Sequence, residues 1–338
     1  MTHRARTFTC LFVLPAFVAM AGLLLADPSQ HVPASQKKKG EKPSITNHLR
    51  LRKNMEDEST ALQTSIVRYV PASGKGDLVV DLIGVVHIGD AGYYEYLNRH
   101  FDQYDAVLYE LVAPPERRIP DPSEGSDNPM RLLQKLTQSV LDLKHQLDFI
   151  DYRKDNLVHA DMSPSEMAAA VKERGDNGMT LFLSVTADML RQQNLKQRAL
   201  EERPEKQLKI EEIDPFEIMF DDFGSVKMKR IMAQQFADLS GAGSGLGQTL
   251  DTILIKDRNG AAMQVFQKQL AEGKKKIGIF YGAAHMPDFE QRLVRDFGLK
   301  RDDVQWVTAW DLSMKRKSPV EGVVGSLIEE FLKQSLKK

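Results

Sequence analysis

The sequence predicts an α/β fold: a central mixed, partly parallel sheet flanked by helices, with a large helical insertion. Three observations carry this. Strand-like apolar runs stand at 78–88, 106–112 and 276–281, toward both ends of the polar part of the chain. A helix-length stretch separates the first two, the spacing of a βαβ unit. Between 129 and 271 the apolar residues recur mostly at helical spacing. Composition agrees: 42% hydrophobic and 28% charged residues in a 338-residue chain exclude wholesale disorder and allow one large domain or two smaller ones. A net charge of −1 lacks the basic footprint of a nucleic-acid-binding domain, so no nucleic-acid partner is expected. The single cysteine, Cys10, excludes an internal disulfide and Cys-based zinc folds.

In chain order, residues 1–26 read as a signal peptide. Arg4 and Arg6 precede the apolar run TFTCLFVLPAFVAMAGLLLA, which ends at Asp27-Pro28-Ser29. Export to the periplasm or exterior is the expectation. The run, about 20 residues, would also span a bilayer if uncut, and an uncleaved anchor would hold the chain beside a membrane. Residues 27–58, with QKKKGEKPS near the centre, read as a flexible polar linker. The folded domain is expected over 59–314. It opens with an alternating outer strand at 64–70, a turn cluster at 71–76 and a buried central strand at 78–88.

A helix is expected at 89–102, the second buried strand at 106–112, and a Pro- and Asp-rich loop at 114–128. The insertion, about 129–271, starts with a helix over 129–149 that aligns Leu132, Leu136, Val140, Leu143 and Leu147. Ser163-Pro164-Ser165-Glu166 is a capping box with proline at the first helical position, opening a helix through Lys172. Helices follow at 180–200, 215–239 (Asp214 as N-cap) and 248–271. The glycine-rich 240–247 reads as a hinge, because no strand precedes it and no Gly-Lys-Ser/Thr closes it. A strand at 276–281, a helix at 288–297 and a strand at 304–308 complete the domain. An amphipathic helix, expected to dock on the core, ends the chain within 315–338.

The chemistry is expected at a repeated pattern. Gly84-Val85-Val86-His87-Ile88-Gly89-Asp90 and Gly282-Ala283-Ala284-His285-Met286-Pro287-Asp288 each follow an apolar strand and precede a helix, 198 residues apart. Sites in open α/β sheets collect at the carboxyl ends of strands, so two such corners are expected to bring His87 and His285 to one cleft. The glycines permit close approach of backbone or ligand. Glu110 ends the second strand, where a buried carboxylate needs a partner. It is either a third ligand beside two histidines, in an open Zn, Co or Mn site, or the partner of an arginine. Arg258 is a candidate for that partner, or for polarising a substrate carbonyl or binding an anion. Asn259 is a candidate for orienting a histidine. Asp90 and Asp288 either cap their helices or orient the imidazoles. His159 and Asp161, two apart, extend the site or bond at a helix entry. Tyr281 faces the cleft or the core, and His100 and His145 read as exposed helix residues. Neither Gly-x-Ser-x-Gly nor His-Glu-x-x-His occurs, which disfavours serine-hydrolase and zincin chemistry.

In this order and spacing, Gly84, His87, Glu110, Arg258, Asn259, Gly282 and His285 resemble the signature of the TraB/PrgY/GumN family. That family includes the Tiki metalloproteases and is related in fold to erythromycin esterases and ChaN-like haem-binding proteins. The resemblance spans roughly 64–310. It implies an α/β core with a helical insertion and a metal-dependent hydrolase, a peptidase by the Tiki precedent, using Mn or Co. The expected partner is a peptide or small-molecule substrate. Two alternatives stand beside it: a non-catalytic peptide- or haem-binding protein, and a metal-independent hydrolase with a histidine as general base.

Overall fold

The structure, a computed structural model, describes residues 48–114, 141, 143–174, 224–241 and 251–313. The signal peptide, the linker up to residue 47, the loop from 115, the helix expected at 180–200, the start (215–223) of the helix expected at 215–239, the hinge beyond Gly241 and the C-terminal helix lie outside the described residues, while 224–239 is helical as expected and the helix runs on through the first two hinge residues, 240 and 241. Among the described residues no helix is long and apolar enough to cross a membrane.

The chain first forms β1 (Leu49–Lys53), inside the segment expected to be a linker. Its LRLRK alternation turns Leu49 and Leu51 toward the core, while Arg50 lies exposed, 4.0 Å above the Trp306 ring. β2 (Ser59–Pro71) and β3 (Val79–Val85) make the expected hairpin. Then come β4 (Ile88–Gly89), α1 (Ala91–Phe101), β5 (Ala106–Tyr109), β6 (Lys144–His145), α2 (Gln146–Phe149), β7 (Leu157–His159) and α3 (Pro164–Glu173). α4 (Gly224–Gly241) follows, then a π-helical turn (Thr252–Asp257) that runs into α5 (Arg258–Ala271). The domain closes with β8 (Lys276–Gly282), a 3₁₀ turn (Ala283–His285), α6 (Met286–Phe297) and β9 (Leu299–Asp311).

The main sheet has seven strands. β3, β8, β5 and β7 run parallel in that order, and β2 joins them antiparallel through β3. β2 is therefore not the outer strand the sequence suggested. β9 pairs along one edge from Ala61 to Pro71, while β1 and β3 share the other. Charged residues at the start of β9 hid its true length of 13 residues. β5 also does not sit beside β3: β8 lies between them.

Each sheet face carries its own core. On one, Ile66, Ile83 and Phe280 pack against Tyr93, Leu97 and Phe101 of α1. On the other, Val67, Leu82, Ile279 and Tyr281 pack against Phe266 of α5 and Phe289 and Leu293 of α6. Burying one such large side chain contributes about 1.5–3 kcal/mol. Asp81, buried in β3, accepts two hydrogen bonds from Arg68 at 2.9 Å and one from the Tyr104 hydroxyl at 2.7 Å. The capping box of α3 forms as expected: Ser163 Oγ accepts from the Glu166 amide, and Glu166 from the Ser163 amide. The helix expected over 129–149 does not reach its end. Lys144–His145 pairs antiparallel with β4, so His145 is a strand residue and its Nδ1 caps the one-turn α2.

Candidate active site

The carboxyl ends of β3, β8 and β5 are neighbours, and the expected residues leave the sheet there. The parallel register pairs Gly84 with Tyr281 and Val85 with Gly282, which sets the two Gly-x-x-His corners side by side. Glu110 follows β5, and its amide donates to the Phe280 carbonyl at 3.2 Å. It therefore enters beside the second corner rather than directly beside His87.

Gly282 is the point of convergence. A β-carbon placed on it would lie 3.3 Å from Glu110 Oε2, 3.7 Å from His285 Cδ2 and 3.8 Å from His87 Nε2. The two imidazoles and the carboxylate thus meet within 4 Å of one position. The Gly282 amide donates to Glu110 Oε2 at 2.7 Å, so glycine is needed here for close approach. Gly84 serves differently: the space over it is taken by the second corner, with Met286 Cγ at 3.6 Å and Ala283 Cα at 3.7 Å from a notional β-carbon.

His285 is 4% exposed, and its ring state follows from its partner. Asn259 Nδ2 donates to the His285 carbonyl at 3.0 Å and to Asp288 Oδ2 at 2.9 Å. Both are acceptors only, so Asn259 Oδ1 must be the atom 2.6 Å from His285 Nδ1, and that nitrogen carries the proton. Nε2 then faces Glu110 Oε1 at 3.5 Å. Tyr281 packs edge-on to the ring at 5.2 Å and donates its hydroxyl to the Ala160 carbonyl, so it faces the core. Asp288 does not cap α6. It is held by Asn259 and by Arg292 Nε at 2.6 Å.

His87 is solvent-exposed. Its Nδ1 lies 3.0 Å from Gln146 Oε1, and its carbonyl accepts from the Gln146 amide at 2.8 Å. No sequence signal marked Gln146, whose segment read as the last turn of a leucine-striped helix. Asp90 does not orient His87. It accepts from the Asp311 amide at 2.5 Å and from Lys229 Nζ at 3.1 Å, with no side-chain cap on α1.

Of the roles open to Arg258, the geometry selects the partner of Glu110. Nη2 donates to Glu110 Oε1 and to Asp161 Oδ2, both at 2.6 Å, and Nε to Asp161 Oδ1 at 2.9 Å. Nη1 reaches the Leu254 carbonyl in the preceding π-turn at 3.4 Å. π-turns recur at functional sites, and this one ends where Arg258 enters the network. Asp161 belongs to the site through this pair. His159 Nε2 lies 2.7 Å from the Leu111 carbonyl, and its ring packs edge-on to Tyr109. Burial opposes the charged forms here, but the pairing outweighs it. Glu110 is held well below the ordinary carboxylate range by Arg258, and Arg258 well above its ordinary value by Glu110 and Asp161.

Among the described residues no three His, Cys, Asp or Glu side chains form a group that could hold a metal ion as they stand. Glu110 is turned to Arg258 and the Gly282 amide, although each carboxylate oxygen retains a further lone pair. No protein-family model, curated protein or solved structure matches the chain.

Proposed function

We propose that this chain is an exported hydrolase, metal-dependent and acting on peptide bonds. The observation that carries the reading is the convergence of His87 Nε2, the His285 ring and Glu110 Oε2 on Gly282. The donor set suits a divalent cation such as Mn, Co or Zn in two respects. Arg258 is one positive charge facing two carboxylates, Glu110 and Asp161, so the pocket retains negative charge for a further cation. The 3.5 Å between His285 Nε2 and Glu110 Oε1 matches the roughly 3.4 Å between two ligands about 2.1 Å from a tetrahedral ion. His87, His285 and Glu110 would hold it. When bound, such an ion supplies Lewis acidity, bringing the pKa of water toward about 7.

The chain's own residues do the rest. Arg258 fixes Glu110 from behind and so is a positioning residue; its donors are directed to Glu110, Asp161 and Leu254 rather than to a substrate oxyanion. Asn259 fixes the His285 ring. His87, on the solvent side, meets the substrate first. The peptide preference and the export rest on the resemblance to the TraB/PrgY/GumN family and on the N-terminal run.

A second reading is favoured by the His285–Glu110 contact itself: metal-free hydrolysis, with that pair handling the proton. One experiment separates the two. Metal content is measured on the protein lacking its first 26 residues, beside His285→Ala, and hydrolysis of a peptide pool is followed with and without chelator. Stoichiometric metal lost in the variant, with turnover abolished by chelator, supports the first. Turnover in excess chelator supports the second. Ligand binding with no turnover in either condition rejects both in favour of a binding protein.

A further inference from the structure

We infer that Gln146 is a positioning residue that sets the ring tautomer of His87, aiming an unprotonated Nε2 into the cleft. The inference rests on the hydrolytic site proposed above and adds a residue to it. Gln146 is 2% exposed, on the one-turn α2. The pairing of Ile88 with His145 and Gly89 with Lys144 delivers it to the His87 corner. Its amide nitrogen then holds the His87 carbonyl at 2.8 Å, while its side-chain Oε1 meets His87 Nδ1 at 3.0 Å. The far end of the carboxamide is anchored as well, with Nε2 2.9 Å from the Tyr152 hydroxyl. Tyr152 is buried against Tyr109, its ring centroid 5.0 Å away.

An amide oxygen only accepts, so His87 Nδ1 carries the proton and Nε2 of the neutral ring is left with its lone pair. Free neutral imidazole prefers the opposite form, so the protein reverses an intrinsic preference. Asn259 does the same to His285. The two corners therefore hold their rings alike, each with a carboxamide oxygen on Nδ1 and Nε2 toward the shared cleft. At Asn259 this sense is forced by two acceptor-only neighbours. At Gln146 the Tyr152 hydroxyl accepts or donates, so the sense of the carboxamide is the quantity to measure.

The test is long-range ¹H–¹⁵N correlation on the full-length protein labelled at histidine, at a pH where the rings are neutral. The His87 signals are identified by their loss in His87→Ala. The expected wild-type pattern has the proton on Nδ1. Gln146→Leu moves it predominantly to Nε2, Gln146→Glu keeps it on Nδ1, and the His285 pattern stays unchanged in both. A wild-type His87 protonated on Nε2, or a wild-type pattern persisting in Gln146→Leu, overturns the assignment. If Gln146→Leu loses the His285 pattern and so has not folded, wild type and Gln146→Glu decide. With Co²⁺ as probe, Gln146→Leu is expected to weaken binding about 10–100-fold. Absence of Co²⁺ binding by wild type would overturn the metal site but not the tautomer assignment, so the two failures are distinguishable.

Discussion

The two Gly-x-x-His corners read almost identically in sequence, yet the fold supports them in opposite ways. His285 is 4% exposed and backed by packed helices: Asn259 on α5 holds its ring, and Tyr281 and Phe289 wall it in. His87 is exposed, and its ring is held by Gln146 from a one-turn helix in the connection between β5 and β7. One imidazole is therefore part of the core, and the other depends on a local strap. The difference teaches that equal motifs need not carry equal burdens. The second histidine couples stability to the proposed chemistry, whereas the first can be altered at little cost in stability.

The largest expected effect lies behind the second corner. Arg258→Met leaves Glu110 and Asp161 buried without their cation, a class of change that costs about 3–5 kcal/mol. A urea midpoint within error of wild type would show that the network holds nothing together. Next come the histidines. Removing either is expected to lower kcat/KM at least about 100-fold, or roughly 2.7 kcal/mol. Their stability costs should differ: about 1–3 kcal/mol for His285→Ala, which strands buried Asn259, against about 0.5 kcal/mol or less for exposed His87→Ala. Equal losses in thermal unfolding would break the contrast.

The glycines should separate the other way, because Gly282 faces the Glu110 carboxylate and Gly84 faces backbone and Met286. Gly282→Ala puts a methyl group 3.3 Å from the bound Glu110 oxygen and should reduce turnover, while Gly84→Ala, whose nearest neighbour is 3.4 Å away, should act mainly on packing. Retained full activity in Gly282→Ala would deny Glu110 its role.

The smallest effect is acid-dependent. Glu290, five residues beyond His285 on α6, loses solvation on burial, but His48 and Arg301 hold its carboxyl below the ordinary 4.5. A depressed carboxylate adds stability that is present above 4.5 and lost as pH falls through the lowered folded value. Glu290→Gln should therefore lower stability at neutral pH and flatten its decline on the acid side, read from urea midpoints at about pH 7 and pH 4.

Much of this was legible in the residues. VVDLIGV, AVLY and KIGIFYG could only be buried strands, and their shared carboxyl ends fixed where His87, Glu110 and His285 would gather. Three failures have physical reasons. Leu143 and Leu147 sit at helical spacing, but pairing with β4 overrides that local preference and exchanges helix for a strap. Leu49–Lys53 alternates as a strand should, but its three cations suggested a solvated tether until Trp306 and β2 were there to receive them. Asp90 and Asp288 both follow their histidine by three residues, yet only Asp288 meets Asn259, because nothing in local spacing records which neighbour the sheet supplies.

The place of β8 between β3 and β5 has a consequence for biosynthesis. A ribosome or translocase delivers both outer partners long before the strand that joins them, and until then each has an unpaired edge open to wrong partners. Closure across so long a stretch is slow, which lengthens that exposure. The convergence on Gly282 is therefore assembled late, since His87 and Glu110 wait for β8 and the second corner before they have a common neighbour.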